Sequence, residues 1–176
     1  TLISAALTNG EREIMLFSDG GKVTRFKETD VRAMGRTARG VRGMRLAEGQ
    51  NLVSMLIAEE GSQILTASSR GFGKRTAVED FPQYKRGGQG VIAMVSNERN
   101  GPLVGAVQVV DGEEIMLISD QGTLVRTRTD EVSVLSRNSL RQWSRWMKRV
   151  TLCRLSLLPP VKTMSSNPWM IRSNRE

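Results

Sequence analysis

Ile14-Met15-Leu16-Phe17-Ser18-Asp19-Gly20-Gly21 recurs as Ile64-Leu65-Thr66-Ala67-Ser68-Ser69-Arg70-Gly71 and again as Ile115-Met116-Leu117-Ile118-Ser119-Asp120-Gln121-Gly122, at spacings of 50 and 51 residues. Working outward, the register persists. Arg25, Arg75 and Arg126 coincide, as do Arg36, Arg86 and Arg137, and Leu2 to Ala6 aligns with Leu52 to Leu56 and Leu103 to Val107. A unit of this length repeated in tandem is the mark of propellers, solenoids and arrays, because one unit alone cannot bury its apolar face.

Inside the unit the pattern is that of strands. Glu13 to Ser18 and Val23 to Lys27 flank Asp19-Gly20-Gly21, a turn whose glycine accepts the positive φ of a tight hairpin. Further strands are expected at Val41 to Leu46 and Leu52 to Ala58, with equivalents at Val91 to Val95 and Leu103 to Val110. Residues 1–138 show no sustained helical period. The expected fold is all-β, with about four strands in each unit of about 50 residues, which is the size of one propeller blade. Kelch propellers share the period, but their paired glycines followed by a spaced Tyr and Trp are missing.

Charge is informative only when divided. The chain carries 26 Lys plus Arg against 18 Asp plus Glu, net +8. Residues 139–176 account for net +7 of this and residues 1–138 for only +1, so global basicity does not argue for a nucleic-acid partner. A local feature does: Arg32, Arg36, Arg39, Arg42 and Arg45 crowd into fourteen residues with no acid among them. All three Trp, the single Cys153, and Pro159, Pro160 and Pro168 also fall after Asn138. One Cys excludes an intrachain disulfide, and the lack of His excludes His-based triads and the usual zinc sites. No apolar run approaches the ~20 residues of a membrane span and no signal pattern opens the chain, so a cytoplasmic protein is expected. Thr1 is not an initiator Met, which reads as a fragment or a processed chain.

Several ordered segments carry a family resemblance: Arg25-Phe26-Lys27-Glu28, Val31 to Arg36, Gly40 to Leu46, Gly73 to Val78, Glu98 to Gly101, Val104 to Val109 and Gly122 to Arg128. Together they resemble the C-terminal domain of bacterial DNA gyrase A, a type IIA topoisomerase component, over residues 1–138. The resemblance implies a six-bladed β-pinwheel whose basic outer rim wraps duplex DNA. Within the holoenzyme that wrapping would support ATP-dependent negative supercoiling by a gyrase A homodimer together with gyrase B. ATP and Mg would be bound elsewhere, with no cofactor, metal or membrane contact expected here.

The resemblance assigns residues 1–11 to the last strand of a preceding blade, 12–61 and 62–112 to blades, and 113–138 to an incomplete final blade. Residues 139–176 become an irregular, out-of-register basic tail. Where the repeat calls for small-polar-Gly-Val after Arg137-Asn138, the chain reads Ser139-Leu140-Arg141-Gln142. A reading-frame shift near residue 139 and a natural basic extension are the two explanations. The family's diagnostic Gln-Arg-Arg-Gly-Gly-Lys/Arg-Gly box is absent; Tyr84-Lys85-Arg86-Gly87-Gly88-Gln89-Gly90 resembles it in a different blade.

Arg36, Arg86 and Arg137 recur on a connection between strands, where guanidinium groups can meet phosphates without reading bases. Taken singly, a surface Arg is an ordinary solvated or ion-paired residue. The recurrence together with the resemblance favours phosphate contact. Arg39, Arg42 and Arg45 extend the patch, with Arg42 and Arg45 expected on opposite strand faces and one of them structural. Lys74, Arg75, Lys85, Arg126 and Arg128 complete the expected DNA-binding set.

Catalytic readings are weaker. Gly71-Phe72-Gly73-Lys74-Arg75-Thr76 has neither the glycine spacing nor the following helix of a phosphate loop. Glu59-Glu60, Glu79-Asp80 and Glu113-Glu114 read as solvated pairs. Tyr84, the single Tyr, aligns with Met34 and Leu135 and is expected to pack in the blade. A protein-interaction propeller and a basic RNA-associated β protein are the alternatives, the latter opposed by the scarcity of aromatics for base stacking.

Overall fold

A computed structural model describes residues 2–119, 122–139, 141–142 and 152–157, the last two segments as backbone strands. The apolar run of the first repeat forms β1 (Glu13–Ser18), and the residues after the glycine turn form β2 (Lys22–Lys27). They are followed by β3 (Leu52–Ala58), β4 (Gln63–Ser68), β5 (Phe72–Ala77), β6 (Val91–Ile92) and β7 (Leu103–Val109). The last strands are β8 (Glu114–Ser119), β9 (Leu124–Arg128), β10 (Arg141–Gln142) and β11 (Leu152–Leu157). A single 3-10 turn follows β2, β5 and β9 in turn.

The recurring Ser-x-x-Gly explains the hairpins. Gly21, Gly71 and Gly122 take φ of +76°, +76° and +79°, a conformation that L side chains rarely adopt. A Cβ on Gly21 would also meet the Met94 carbonyl oxygen at 2.1 Å. Ser18, Ser68 and Ser119 each accept on Oγ the backbone N–H of residue 22, 72 or 123, at 3.3, 3.2 and 2.8 Å. Each turn therefore carries its own hydrogen bond.

Sheets and repeats do not coincide. The first sheet runs β3-β1-β2-β6, the second β10-β5-β4-β7 and the third β11-β8-β9. The first and second sheets are thus each built from three strands of one repeat and take a short fourth strand, β6 or β10, from the chain that follows. β6 pairs Val91 with Val23 and Ile92 with Lys22, and β10 pairs Arg141 with Gly73 and Gln142 with Phe72. The exchange ties consecutive sheets together by backbone bonds. Side chains do the rest. Ile64 faces the first sheet in a cluster with Met15, Phe17, Phe81, Met94 and Leu103, while its neighbour Leu65 faces the third in a cluster with Val109, Ile115, Leu117 and Val132. The second sheet is buried on both faces, and Phe17 and Phe81 meet edge-on across the first interface at 6.4 Å.

Three expectations differ from this arrangement. Residues 2–11 form no strand and are exposed. Val41 to Leu46 forms no strand either, although Val91-Ile92 at the equivalent position does. Both segments belong to a sheet that would precede β1, and among the described residues no such sheet exists for them to join. A lone strand without partners has no ladder to stabilise it. The tail, expected to be irregular, supplies β10 and β11, the latter pairing with β8 from Leu152 opposite Ser119 to Leu157 opposite Ile115. Backbone pairing tolerates the loss of the repeat's side chains. Arg141 takes the place of Val91 at an offset of 50, one residue short of the 51 that relates Arg86 to Arg137. The rest of the tail lies outside the described residues.

Candidate nucleic-acid interface

The expected basic residues fall into two groups with different surroundings. Arg36, Arg39, Arg42 and Arg45 are all exposed, as is Arg32, on the connection between the first 3-10 turn and β3. Because that segment is not a strand, Arg42 and Arg45 do not alternate between faces, and the expectation that one is structural fails. Met44, between them, turns inward against Leu16 and Phe26.

The turn of the second repeat lies alongside. Gly87 N–H donates to Gly43 O at 2.6 Å and Arg45 N–H to Gly88 O at 2.8 Å, which seats exposed Lys85 and half-buried Arg86 next to the arginine run. Arg86 reaches back with Nε to Asp30 O at 2.8 Å and with Nη1 to Arg42 O at 3.1 Å. Arg137 makes the same bond one repeat later, from Nη1 to Ile92 O at 3.3 Å. These recurring arginines clip each turn to the repeat before it while keeping part of the guanidinium at the surface. Arg36 has no earlier repeat to grip among the described residues.

Lys74 and Arg75, expected on the DNA-binding face, are buried. Lys74 is fully enclosed, its Nζ donating to Ser136 O at 2.8 Å and to Arg137 O. Burial, together with the nearby Arg137 charge, lowers its pKa to about 8 against a smaller opposing pull from Asp80. Arg75 donates from Nε to Val132 O at 2.8 Å and pairs with Asp111. Arg25 does the equivalent one repeat earlier, pairing with Glu13 at 2.5 Å and donating from Nη1 to Val78 O and Phe81 O at 2.8 and 3.1 Å. Phe81 and Val132 are repeat equivalents, so the Arg25/Arg75 recurrence is a staple between consecutive blades. The third member, Arg126, has no following blade among the described residues and stays exposed with an ion pair to Glu114; Arg128 pairs with Asp130 at 2.9 Å.

The acidic residues also have structural work. Glu28, Glu79 and Asp130, one in each 3-10 turn, accept the backbone N–H of Gly10, Gly61 and Gly112 at 3.1, 2.8 and 3.0 Å. These bonds are the largest of the influences that lower the pKa of Glu79 and Asp130. The 51-residue spacing of these carboxylates is present in the sequence, where the more conspicuous adjacent acidic pairs mask it. Tyr84 does not pack in the blade but is 54% exposed, held by its backbone N–H on Arg25 O at 2.8 Å. Among the described residues no three His, Cys, Asp or Glu gather as a metal site, and no helix is long and apolar enough to cross a membrane.

The family model of the DNA gyrase C-terminal domain, a β-propeller, matches residues 12–59, 62–109 and 113–140, one match for each repeat. The chain belongs to the DNA gyrase C-terminal domain family. It is 71% identical over 139 residues to the DNA gyrase A protein of Pseudomonas aeruginosa, covering 79% of this chain and 15% of that protein. It is 54% identical over 138 residues to that of Escherichia coli K12, covering 78% of this chain and 16% of that protein. The chain therefore spans about a sixth of the length of these relatives. Among solved structures, a DNA gyrase A C-terminal domain superposes with a TM-score of 0.75 at 28% identity, over 85% of this chain and 51% of that one. A topoisomerase IV C-terminal domain superposes at 0.77 with 24% identity over 87% and 48%, a likeness of fold. The three matched segments fall on the three sheets in order.

Proposed function

We propose that this chain is a DNA-binding and DNA-wrapping module of DNA gyrase A and that it has no catalytic residues of its own. The observation that carries the reading is the exposed, acid-free run Arg32, Arg36, Arg39, Arg42 and Arg45, with the turn that bears Lys85 and Arg86 held alongside by the Gly87–Gly43 and Arg45–Gly88 backbone bonds. A strip of exposed guanidinium groups can meet backbone phosphates and is indifferent to base identity. In the whole enzyme, bending a duplex along such strips would support ATP-dependent negative supercoiling, with gyrase A as a homodimer, gyrase B as its partner, and ATP and Mg bound on other domains. The setting is the bacterial cytoplasm, at the nucleoid. Arg126, Arg128 and Arg137 would add contacts farther along the chain.

The test is binding of a random-sequence duplex by the 176-residue chain across a salt series, with and without Arg36, Arg39 and Arg42 replaced by Ala. Log affinity should fall linearly with log salt, and the triple variant should flatten the slope by up to about 2.7, at about 0.9 for each phosphate no longer neutralised. An unchanged slope would remove the run from the interface, and binding with no salt dependence would point to a protein-interaction propeller.

A further inference from the structure

Lys74 is enclosed beneath the turn that carries Arg137, one of the three recurring arginines. β5 holds that turn with the side chains of one strand face. Thr76 Oγ1 donates to Leu135 O at 2.8 Å, and Lys74 Nζ donates to Ser136 O at 2.8 Å and to Arg137 O. Three successive carbonyls are thus gripped by two residues that alternation places on the same side of the strand. Half-buried Arg137 is anchored at its far end too, by Nη1 on Ile92 O at 3.3 Å.

The preceding repeat holds its turn by other means. Thr24 and Phe26 stand in the places of Lys74 and Thr76, and among the described residues neither side chain bonds to the turn of Lys85 and Arg86. That turn hangs on backbone instead, with Gly87 N–H on Gly43 O at 2.6 Å and Arg45 N–H on Gly88 O at 2.8 Å. A buried ammonium costs desolvation unless it is well bonded, so its place under Arg137 calls for a use. Two charged groups bear on it. Burial first, then the Arg137 guanidinium, lower its pKa to about 8, and the Asp80 carboxylate opposes them. The residue opposite it on β4 is the neutral Thr66.

We infer that Lys74 is a positioning residue for DNA binding: without touching the duplex, it fixes the Arg137 backbone so that the Arg137 guanidinium meets a phosphate. The inference rests on the phosphate-binding reading above. A side chain ordered on folding has less freedom to lose on binding. The coupling also runs in reverse. A phosphate beside Arg137 offsets the positive charge that disfavours the ammonium, so binding favours protonated Lys74 and protonated Lys74 favours binding. Raising the pH through about 8 removes that proton and weakens the contact.

The test is binding of a random-sequence duplex by the 176-residue chain across a salt series, at pH 7 and at pH 9. At pH 7, Lys74→Met and Arg137→Ala should each flatten the log–log slope by about 0.9, the loss of one phosphate, and the double variant by the same about 0.9. Lys74→Arg, charged at both pH values, should keep the slope. At pH 9 the unsubstituted chain should weaken severalfold more than Arg137→Ala, a surface change that leaves the carbonyl bonds to β5 in place. Should Lys74→Met not fold, this pH comparison decides, because it needs only the unsubstituted chain and Arg137→Ala. An undiminished slope in folded Lys74→Met, a double variant that loses about 1.8, or an equal pH response in Arg137→Ala overturns the inference and leaves the arginine run standing as the interface. Binding without salt dependence by the unsubstituted chain overturns both.

Discussion

Arg75 and Arg126 occupy one repeat position, and the fold gives them opposite stakes. Replacing Arg75 by Ala removes the donor to Val132 O, a carbonyl on a residue only 3% exposed, along with the Asp111 pair. A hydrogen bond from a charged donor to a buried acceptor is worth about 1.5–3 kcal/mol. The two methylenes beyond Cβ, on a side chain 7% exposed, add about 0.8 kcal/mol each. The Asp111 side chain is 71% exposed and is resolvated at little cost, so its loss contributes little. The expected destabilisation is about 3–5 kcal/mol. With a urea dependence of about 2 kcal/mol per molar, the unfolding midpoint should fall by about 1.5–2.5 M. Arg126→Ala deletes the same charge from an exposed pair and should leave the midpoint nearly unchanged. Urea unfolding followed by far-ultraviolet circular dichroism, at a concentration where both proteins are monomeric, compares them directly. Equal midpoints for the two variants would show that the Arg75 staple between blades contributes nothing and that the repeat position has one role throughout.

The buried ammonium of Lys74 predicts a pH effect. Its folded pKa of about 8 lies below the unfolded 10.5, so between these values the unfolded chain holds a proton that the folded one does not, and stability rises with pH in that window. The gain, at most about 3 kcal/mol, should be missing from Lys74→Met when unfolding is compared at pH 8 and pH 10; parallel curves for the two proteins would contradict it. Gly90→Ala should destabilise far more than Gly40→Ala, although both have positive φ, because only Gly90 faces a carbonyl at 2.3 Å; equal losses in thermal unfolding would refute the lent-strand packing. Translating the coding DNA in its other frames just after codon 138 tests the tail: a frame restoring Gly-Val and a strand like Leu103 to Val109 establishes a frameshift, and its absence in both frames establishes an extension.

Period, strands and turns were legible in the chain because they depend on local chemistry. Side chains that alternate about a Ser-x-x-Gly turn can form little but a hairpin, and three copies at equal spacing can bury their faces only against one another. β1 and β3 fell where the pattern put them, Glu13–Ser18 and Leu52–Ala58. The basic residues were legible as a set but not in their roles. Arg36, Arg75, Arg86 and Lys74 look alike as cations in a repeat, and their fates separate only when carbonyls from another repeat arrive. Val132 O takes Arg75, Asp30 O and Arg42 O take Arg86, and Ser136 O takes Lys74. Those partners lie 44 to 62 residues away, and although a strand at Val91 was legible from the repeat, its pairing with the sheet of the previous repeat was not. Local sequence governs which strands form; the exchange of strands between blades governs which cations remain at the surface.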